Sequence, residues 1–275
     1  MATFIGVWKG KSVDEVHAWY SRLADLSAKN KKAAKIPNPL SPKFLHYYLS
    51  APKKELNFSP PQHLKDSKYT KAALAEHRKI YLSQSQLKDK TKGLSPRISE
   101  EGSNGLTQSK TYEMSVHKLK EIPVQQFLSA REMMLILAGG DVPDDLYERI
   151  EKNMTPGDAD LFTSLRSFQV ESKVKVLVKP LGESKYEIKF TEFLAHVWDT
   201  YDFDIAKRLK LPNPDYNNQF QVKDPIALTS QMVMTYHVNL KELVKAGKAK
   251  PFKVKSDTWI VSDPSITKEA TLTYP

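Results

Sequence analysis

Apolar and polar positions alternate with helical spacing in two segments of the first third of the chain. The capping-box pattern Ser12-Val13-Asp14-Glu15 predicts the start of a helix, and apolar residues three and four positions apart continue it to about residue 29. A second helix is predicted over 68–85. Six prolines between these segments argue against long regular elements there, so the aromatic stretch FLHYYL (44–49) is interpreted as a packed anchor within a loop.

The middle of the chain changes character. The segment 88–110 is polar and rich in Gly and Ser, which predicts a linker or a mobile loop. Pro123 then begins a predicted helix that ends at Gly139-Gly140, and its apolar residues, with Met133 and Met134, predict that it is largely buried. A short helix in DVPDDLYERIEKN and a turn at TPGDAD (155–160) are predicted to follow.

Strict alternation then indicates two long strands. Residues 168–180 alternate Phe, Val and Ser with charged neighbours, and LGES has the length of a hairpin connection to a return strand over 185–199. The apolar parity of the return strand shifts by one residue, which predicts a β-bulge near Thr191-Glu192. A bulge reorients the residues beyond it. The segment WDTYDFD (198–204), which ends this strand, is therefore a candidate functional segment.

The remainder predicts a strand within IALTSQMVMTYHV, a short helix stopped by Gly247, and a closing hairpin or strand pair in PFKVKSDTWIVSD. We therefore expect an α+β protein, with a mainly helical N-terminal region at 1–112 and an antiparallel sheet or half-barrel domain at 113–275.

Charge supports this division. The net charge is +10, but residues 1–112 hold 20 Lys and Arg against 9 Asp and Glu, whereas residues 113–275 hold 22 against 23. Such a basic region could contact an anionic membrane, nucleic acid or an acidic partner, or could simply be solvated. With no cysteine, the chain cannot form disulfides, thiolate metal sites or cysteine nucleophiles. Neither a signal peptide nor a membrane span is expected from the apolar pattern.

Common catalytic motifs are missing from the sequence. No phosphate-binding glycine loop, dinucleotide fingerprint, GxSxG or HExxH occurs, and the seven histidines are dispersed without the spacing of a local metal site. The best chemical candidate is Asp199-x-Tyr201-Asp202. Its two carboxylates could converge on Mg²⁺, or one could activate water beside the tyrosine hydroxyl. In the alternative, structural interpretation, Asp199 caps a turn, Tyr201 fills the core and Asp202 is solvated.

The segment VWDTYDFD, arriving after two long strands joined by a short turn, resembles the active-site segment of the colicin M family of bacteriocins. The likeness covers about 115–265, including LKELVKAGKAKPFKVKSDTWIVSD, which is similar to the helix and final strands that close the family's domain. The resemblance implies a Mg²⁺-dependent phosphoesterase. Its substrate would be lipid II, the polyprenyl-pyrophosphate precursor of peptidoglycan, and cleavage would halt bacterial wall synthesis.

Carried over by residue, the resemblance assigns catalytic positions to Asp199, Tyr201 and Asp202, with Asp199 and Asp202 holding the metal. The family's His-Arg pair is replaced by Arg208-Leu209. His237, just before the predicted short helix, is expected to act as general acid or base if the run after 209 is an insertion. Lys207 and Arg208 are expected to bind the phosphates.

Three functions follow as expectations. The first is an antibacterial toxin made in the bacterial cytoplasm and exported without a signal peptide, for example by type VI secretion. It would act in the target periplasm, with an immunity protein and a secretion component or chaperone as partners. The second is a non-catalytic adaptor that keeps the fold and engages a partner through the basic N-terminus. The third, a nucleic-acid binder, has the charge but lacks a recognisable module, so no nucleic-acid partner is expected.

Overall fold

The computed structural model describes residues 2–33, 35–52, 54–83, 108–121, 134, 155–165, 168–182, 185–202, 208–212, 214 and 232–273. Its helices are α1 (Val13–Ala33), α2 (Leu40–Leu49), α3 (Gln62–Lys65), α4 (Lys68–Tyr81), α5 (Pro156–Leu165), α6 (His237–Lys245) and α7 (Pro264–Thr267). Its strands are β1 (Leu56–Phe58), β2 (Lys110–Glu121), β3 (Phe168–Gly182), β4 (Lys185–Tyr201), β5 (Arg208–Pro212), β6 (Met232–Tyr236), β7 (Phe252–Ser256), β8 (Trp259–Ile260) and β9 (Ala270–Thr273).

The predicted mixture of helices and sheet is confirmed. The main sheet is open and mixed, with the strand order β1-β7-β4-β3-β2, while β8 and β9 also pair with β4. The sequence predicts an antiparallel sheet after residue 113, and the pairings among β2, β3, β4, β7, β8 and β9 are antiparallel. β1, from the N-terminal region, adds a parallel edge beside β7. β5 and β6 form a separate antiparallel pair.

The predicted bulge lies in β4. Lys175 of β3 pairs with Glu192, but the next β3 residue, Val176, pairs with Phe190, so Thr191 is the extra residue. Buried side chains stand at even positions of β4 before it and at odd positions after it. The phase change read from the sequence is therefore confirmed as a register shift.

The predicted helices α1 and α4 are confirmed. The Ser12 N–H donates to the Glu15 carboxylate at 2.8 Å, and the Glu15 N–H donates to the Ser12 hydroxyl at 3.2 Å, which is the reciprocal capping box. Ser67 caps α4 by accepting from the Thr70 N–H. Both helices bury an apolar face in the core shared with the sheet.

Two loop predictions were wrong. The stretch FLHYYL belongs to α2, because Pro39 stands at the N-cap and Pro42 lies in the first turn, where a missing N–H costs nothing. TPGDAD begins α5, with Pro156 at the first helical position. Thr155 supports that start, since its hydroxyl accepts from the Asp158 N–H at 3.1 Å.

The two strands predicted in PFKVKSDTWIVSD are present as β7 and β8, but each pairs with β4. β7 and β8 do not make a hairpin with each other in the described part of the chain. β7 pairs with Trp198–Tyr201 and β8 pairs with Leu194–Ala195, so both extend one edge of β4. The helix stopped by Gly247 is confirmed as α6, and that glycine has a φ of 71°.

Other predictions fall mainly outside the described residues. These are the linker at 88–110, apart from its last three residues, the short helix after Gly140 and most of the helix after Pro123. Met134 of that last helix is helical but 72% exposed, contrary to the buried position predicted for it. Residues from both sides of position 112 contribute to one hydrophobic core, and the functional division there stays a prediction.

A buried carboxylate joins three helices across the predicted boundary. Asp160 of α5 is 0% exposed and accepts the backbone N–H groups of Leu40 (2.8 Å) and Ser41 (3.1 Å) at the start of α2. His63 of α3 contacts the same carboxylate through Nε2 at 3.0 Å. Because α2 has no side-chain cap of its own, Asp160 supplies one from 120 residues away.

We predict that Asp160→Ala lowers the free energy of unfolding by about 3 kcal/mol or more, because it leaves two buried N–H groups and His63 without their acceptor. Urea denaturation measures the change. Asp25→Ala is the matched control, since Asp25 is 71% exposed and contacts His46 at the surface. The control is expected to change the free energy by about 0.5 kcal/mol or less. Equal effects of the two substitutions would contradict the capping role.

Candidate active site at the end of β4

The candidate motif occupies the last residues of β4. Trp198, Asp199, Thr200 and Tyr201 pair in antiparallel register with Lys255, Val254, Lys253 and Phe252 of β7. Asp202 follows directly on the last paired residue, and the remaining Phe203 and Asp204 lie outside the described residues. The motif is therefore held by a regular ladder up to Tyr201.

Asp199 and Tyr201 share the inner, helix-covered face of the sheet. Tyr201 is buried, and its ring packs against Phe44 (centroids 5.7 Å apart), Tyr48 (5.9 Å) and Phe252 (5.2 Å). The ring thus serves the core, as the structural interpretation of the sequence predicts. Asp199 lies on the same parity, opposite the buried Val254, and is half-buried.

The outer face carries positive charge that the sequence analysis did not single out. Thr200 is exposed opposite Lys253, and Trp198 stands opposite Lys255. The alternation FKVKS in β7 was the available signal, because it predicts that both lysines project from the solvent side of the sheet. Beside Thr200 lies an open cleft of about 260 Å³, lined by Pro52, Lys54, Glu55, Thr200, Lys250, Pro251, Phe252 and Lys253.

The carboxylates suit the predicted metal in chemistry. Asp199 and Asp202 are both half-buried, and carboxylate oxygens are the ligands that Mg²⁺ prefers. Within the described residues, no group of three or more His, Asp or Glu side chains is placed to hold a metal ion. Magnesium is commonly held by one or two carboxylates with water and substrate phosphates, and that Asp199 and Asp202 converge on one ion stays a prediction.

The backbone brings two other predicted site residues close together. Arg208 begins β5 and pairs with Tyr236 of β6, the residue immediately before His237, which begins α6. The side chains of Arg208 and His237, and all of Lys207, lie outside the described residues. That His237 and the two aspartates share one phosphate stays a prediction.

The N-terminal segment holds α6 in place. Asn239, which is 0% exposed, accepts the Ile5 N–H at 2.9 Å and donates to the Ile5 carbonyl at 3.3 Å. One turn further, the buried Glu242 accepts the Thr3 N–H at 2.9 Å. The pKa of Glu242 is lowered from its usual 4.5, first by the hydrogen bond from Lys245 and then by that from the Thr3 backbone. The helix that begins at His237 is therefore fixed by the other end of the chain.

Several histidines make defined structural contacts instead of lining the motif. His77 is 0% exposed and contacts the Ser172 hydroxyl through Nδ1 at 2.7 Å, while His17 contacts the Leu49 carbonyl at 2.9 Å. His196 lies on β4 with Nε2 at 3.7 Å from Glu171 of β3. These contacts account for the three side chains as parts of the packing.

Comparison with known proteins found no family model, no curated protein and no solved structure that matches the chain. In the described part of the chain, no helix combines the length and the apolar composition needed to span a membrane.

We predict that the ring and the hydroxyl of Tyr201 have separable roles. Tyr201→Ala is expected to lower the free energy of unfolding by about 3–5 kcal/mol, since it leaves a cavity among three aromatic rings. Tyr201→Phe keeps the ring and is expected to cost no more than about 1.5 kcal/mol, the net value of one hydrogen bond. Chemical denaturation of both variants tests this, and similar large losses would show that the hydroxyl, not the ring, anchors the site.

We predict that Glu242 makes a pH-dependent contribution to stability. Because its pKa is lower in the folded chain, the contribution is present above about pH 4.5 and is lost as the pH falls through the lowered pKa. Glu242→Gln should therefore reduce the free energy of unfolding at pH 7, and the difference from wild type should shrink below pH 4.5. The measurement is urea denaturation across this pH range.

Glu76→Gln is the matched control for this experiment. Glu76 also contacts a lysine three residues ahead, Lys79, but it is 56% exposed and lies in α4, away from the Thr3 amide. A pH-dependent loss of the same size in the control would assign the effect to the local helical ion pair instead of the N-terminal contact.

Proposed function

We propose that this protein is an antibacterial toxin of colicin M type, a Mg²⁺-dependent phosphoesterase that cleaves the polyprenyl-pyrophosphate linkage of lipid II. One observation carries the proposal. Two half-buried carboxylates flank the core residue Tyr201 at the end of a bulged strand, beside an open cleft that contains three lysines. Anionic metal ligands next to cationic side chains are what a phosphate-handling site requires.

In this proposal each of the predicted site residues has a separate role in the reaction. Asp199 and Asp202 would hold Mg²⁺, which supplies charge stabilisation on the phosphoryl oxygens. His237 would take a proton from water or give one to the leaving group, the acid–base role in which histidine is used most often. Arg208 and Lys207 would neutralise charge on the pyrophosphate. Cleavage of a phosphoester asks the protein mainly for this positioning and charge, so the set is sufficient.

The register supports part of this arrangement. Arg208 and His237 stand at neighbouring positions because Arg208 pairs with Tyr236. Asp199 and Tyr201 reach the inner face because the bulge at Thr191 shifts the parity of β4. A site at a strand end is also open to solvent, as a substrate anchored in a membrane leaflet requires. The colicin M-like arrangement of the domain belongs to the same proposal.

The cellular setting in this proposal is a contact between bacteria. The protein is made in the cytoplasm, exported by a route such as type VI secretion and active in the target periplasm, with an immunity protein protecting the producer. The basic region 1–112 contributes by docking to anionic headgroups, at about 1 kcal/mol for each Lys or Arg near the surface.

A non-catalytic adaptor is the second candidate. The observation that favours it is the packing of the Tyr201 ring in the core, because this packing accounts for the tyrosine without a catalytic role. The absence of the family's His-Arg pair after Asp202 points the same way.

Lipid II cleavage separates the two candidates. The full chain is assayed with Mg²⁺ and with chelator, as wild type, Asp199→Asn and Glu187→Gln. Glu187 lies on the same strand, opposite Thr271 and away from the motif, and serves as the control. We expect cleavage only with Mg²⁺, a rate lower by about 100-fold or more for Asp199→Asn, and an unchanged rate for the control. No cleavage by folded wild-type protein would favour the adaptor, whereas equal rates for all three would keep the enzyme and remove Asp199 from its active site.

A further inference from the structure

We propose that the cleft between β7 and the loop before β1 is a binding site for a phosphate or pyrophosphate group, formed by Lys54, Lys250 and Lys253. The proposal that the cleft binds an anion depends only on the contacts described below. The proposal that this anion is the pyrophosphate of the substrate rests on the function proposed above, and it adds residues that the sequence analysis did not assign.

The position of the cleft connects it to the motif. Thr200 is the residue between Asp199 and Tyr201, and its backbone pairs with Lys253. Thr200 and Lys253 both line the cleft, and both are exposed on the outer face of the sheet. Asp199 and Lys253 are thus carried by two paired strands, one position apart along the ladder.

The positive charge of the cleft is not neutralised by the acidic residue that lines it. The three lysines share the cleft with Glu55, which leaves a net charge of +2 at the lining. Many exposed lysines of the described region contact a carboxylate, as Lys71, Lys173, Lys189 and Lys248 do. Lys54, Lys250 and Lys253 form no ion pair among the described residues. Ammonium groups held close together repel one another, and a multivalent anion offsets that repulsion.

The walls of the cleft are fixed by contacts made outside it. The Tyr47 hydroxyl donates to the Lys54 carbonyl at 3.2 Å, and its ring packs against Phe252 with the centroids 4.7 Å apart. The Lys250 N–H donates to the Tyr48 carbonyl at 3.0 Å. α2 therefore positions the backbone on both sides of the cleft, so an anion has only the lysine side chains to order when it binds.

The lining also suits an anion that carries an apolar group. Pro52, Pro251 and Phe252 contribute apolar surface beside the ammonium groups, and the cleft is open to solvent. A phosphate joined to a hydrocarbon chain, as in a polyprenyl phosphate or a phospholipid, presents both features. Inorganic pyrophosphate presents the charge alone, which provides a way to separate the two sources.

Calorimetric titration of the full chain with inorganic pyrophosphate tests the anion site. The variant is Lys250→Ala/Lys253→Ala, and the control is Lys79→Ala/Lys189→Ala, which removes two lysines that are paired with carboxylates elsewhere. We expect the affinity of the variant to fall by about tenfold or more, as for the loss of charge-assisted contacts, and that of the control to stay unchanged. Absence of binding to wild type, or equal losses in both variants, would overturn the proposal.

Vesicle co-sedimentation then identifies the source of the phosphate. Phosphatidylcholine vesicles with and without phosphatidic acid are compared for the same three proteins. Binding that needs phosphatidic acid and the two lysines indicates a lipid phosphate, whereas pyrophosphate binding without vesicle binding indicates a soluble one.

The lipid II assay distinguishes failure of this site from failure of the proposed function. Pyrophosphate binding through the lysines without cleavage would refute the enzyme and leave the anion site. Cleavage by the lysine variant with an unchanged KM would refute the cleft as the substrate's subsite and leave the enzyme.

Discussion

The extra residue in β4 is the constraint on which the candidate site depends. β4 pairs with β3 on one edge and with β7, β8 and β9 in succession on the other. Side chains alternate along a strand, so a one-residue insertion exchanges the faces of everything beyond it. Without Thr191 as the extra residue, Asp199 and Tyr201 would point to solvent while Trp198 and Thr200 would point to the helices. The bulge therefore decides which half of the motif is buried and which half meets the cleft.

The helices that cover the inner face of the sheet pack against the end of β4. Phe44 and Tyr48 of α2 pack on Tyr201, and Tyr47 of the same helix supports the wall of the cleft. The start of α2 is held by Asp160, a carboxylate from the second half of the chain. One buried hydrogen-bonded group thus determines where α2 begins, and α2 determines how the end of β4 is packed. A mutation at Asp160 is expected to disturb the site without touching it.

The sequence predicted those features of the fold and the site that depend on residues close together along the chain. The capping box at Ser12, the alternation in β3 and β4 and the bulge near Thr191 are written in adjacent residues, and all three were predicted correctly. α2 and α5 were missed because the prolines at their starts were interpreted as breakers, although the first turn favours proline, as was predicted for Pro123. The cap of α2 by Asp160, the parallel pairing of β1 with β7 and the cleft could not be predicted, because each joins residues more than 100 positions apart.

The two faces of the β4–β7 ladder separate Asp199 from Lys253. Asp199 lies on the buried parity beside an aromatic core, where burial restricts its side chain and excludes part of the water that would screen its charge. Lys253 lies on the exposed parity, where it can reach a ligand arriving from solvent. A phosphate bound at Lys253 would therefore lie on the opposite face of the β4–β7 ladder from the Asp199 side chain. Asp202 follows the last paired residue of the ladder, so the alternation does not assign its side chain to either face, and in the proposed enzyme it is the carboxylate that would link the two faces.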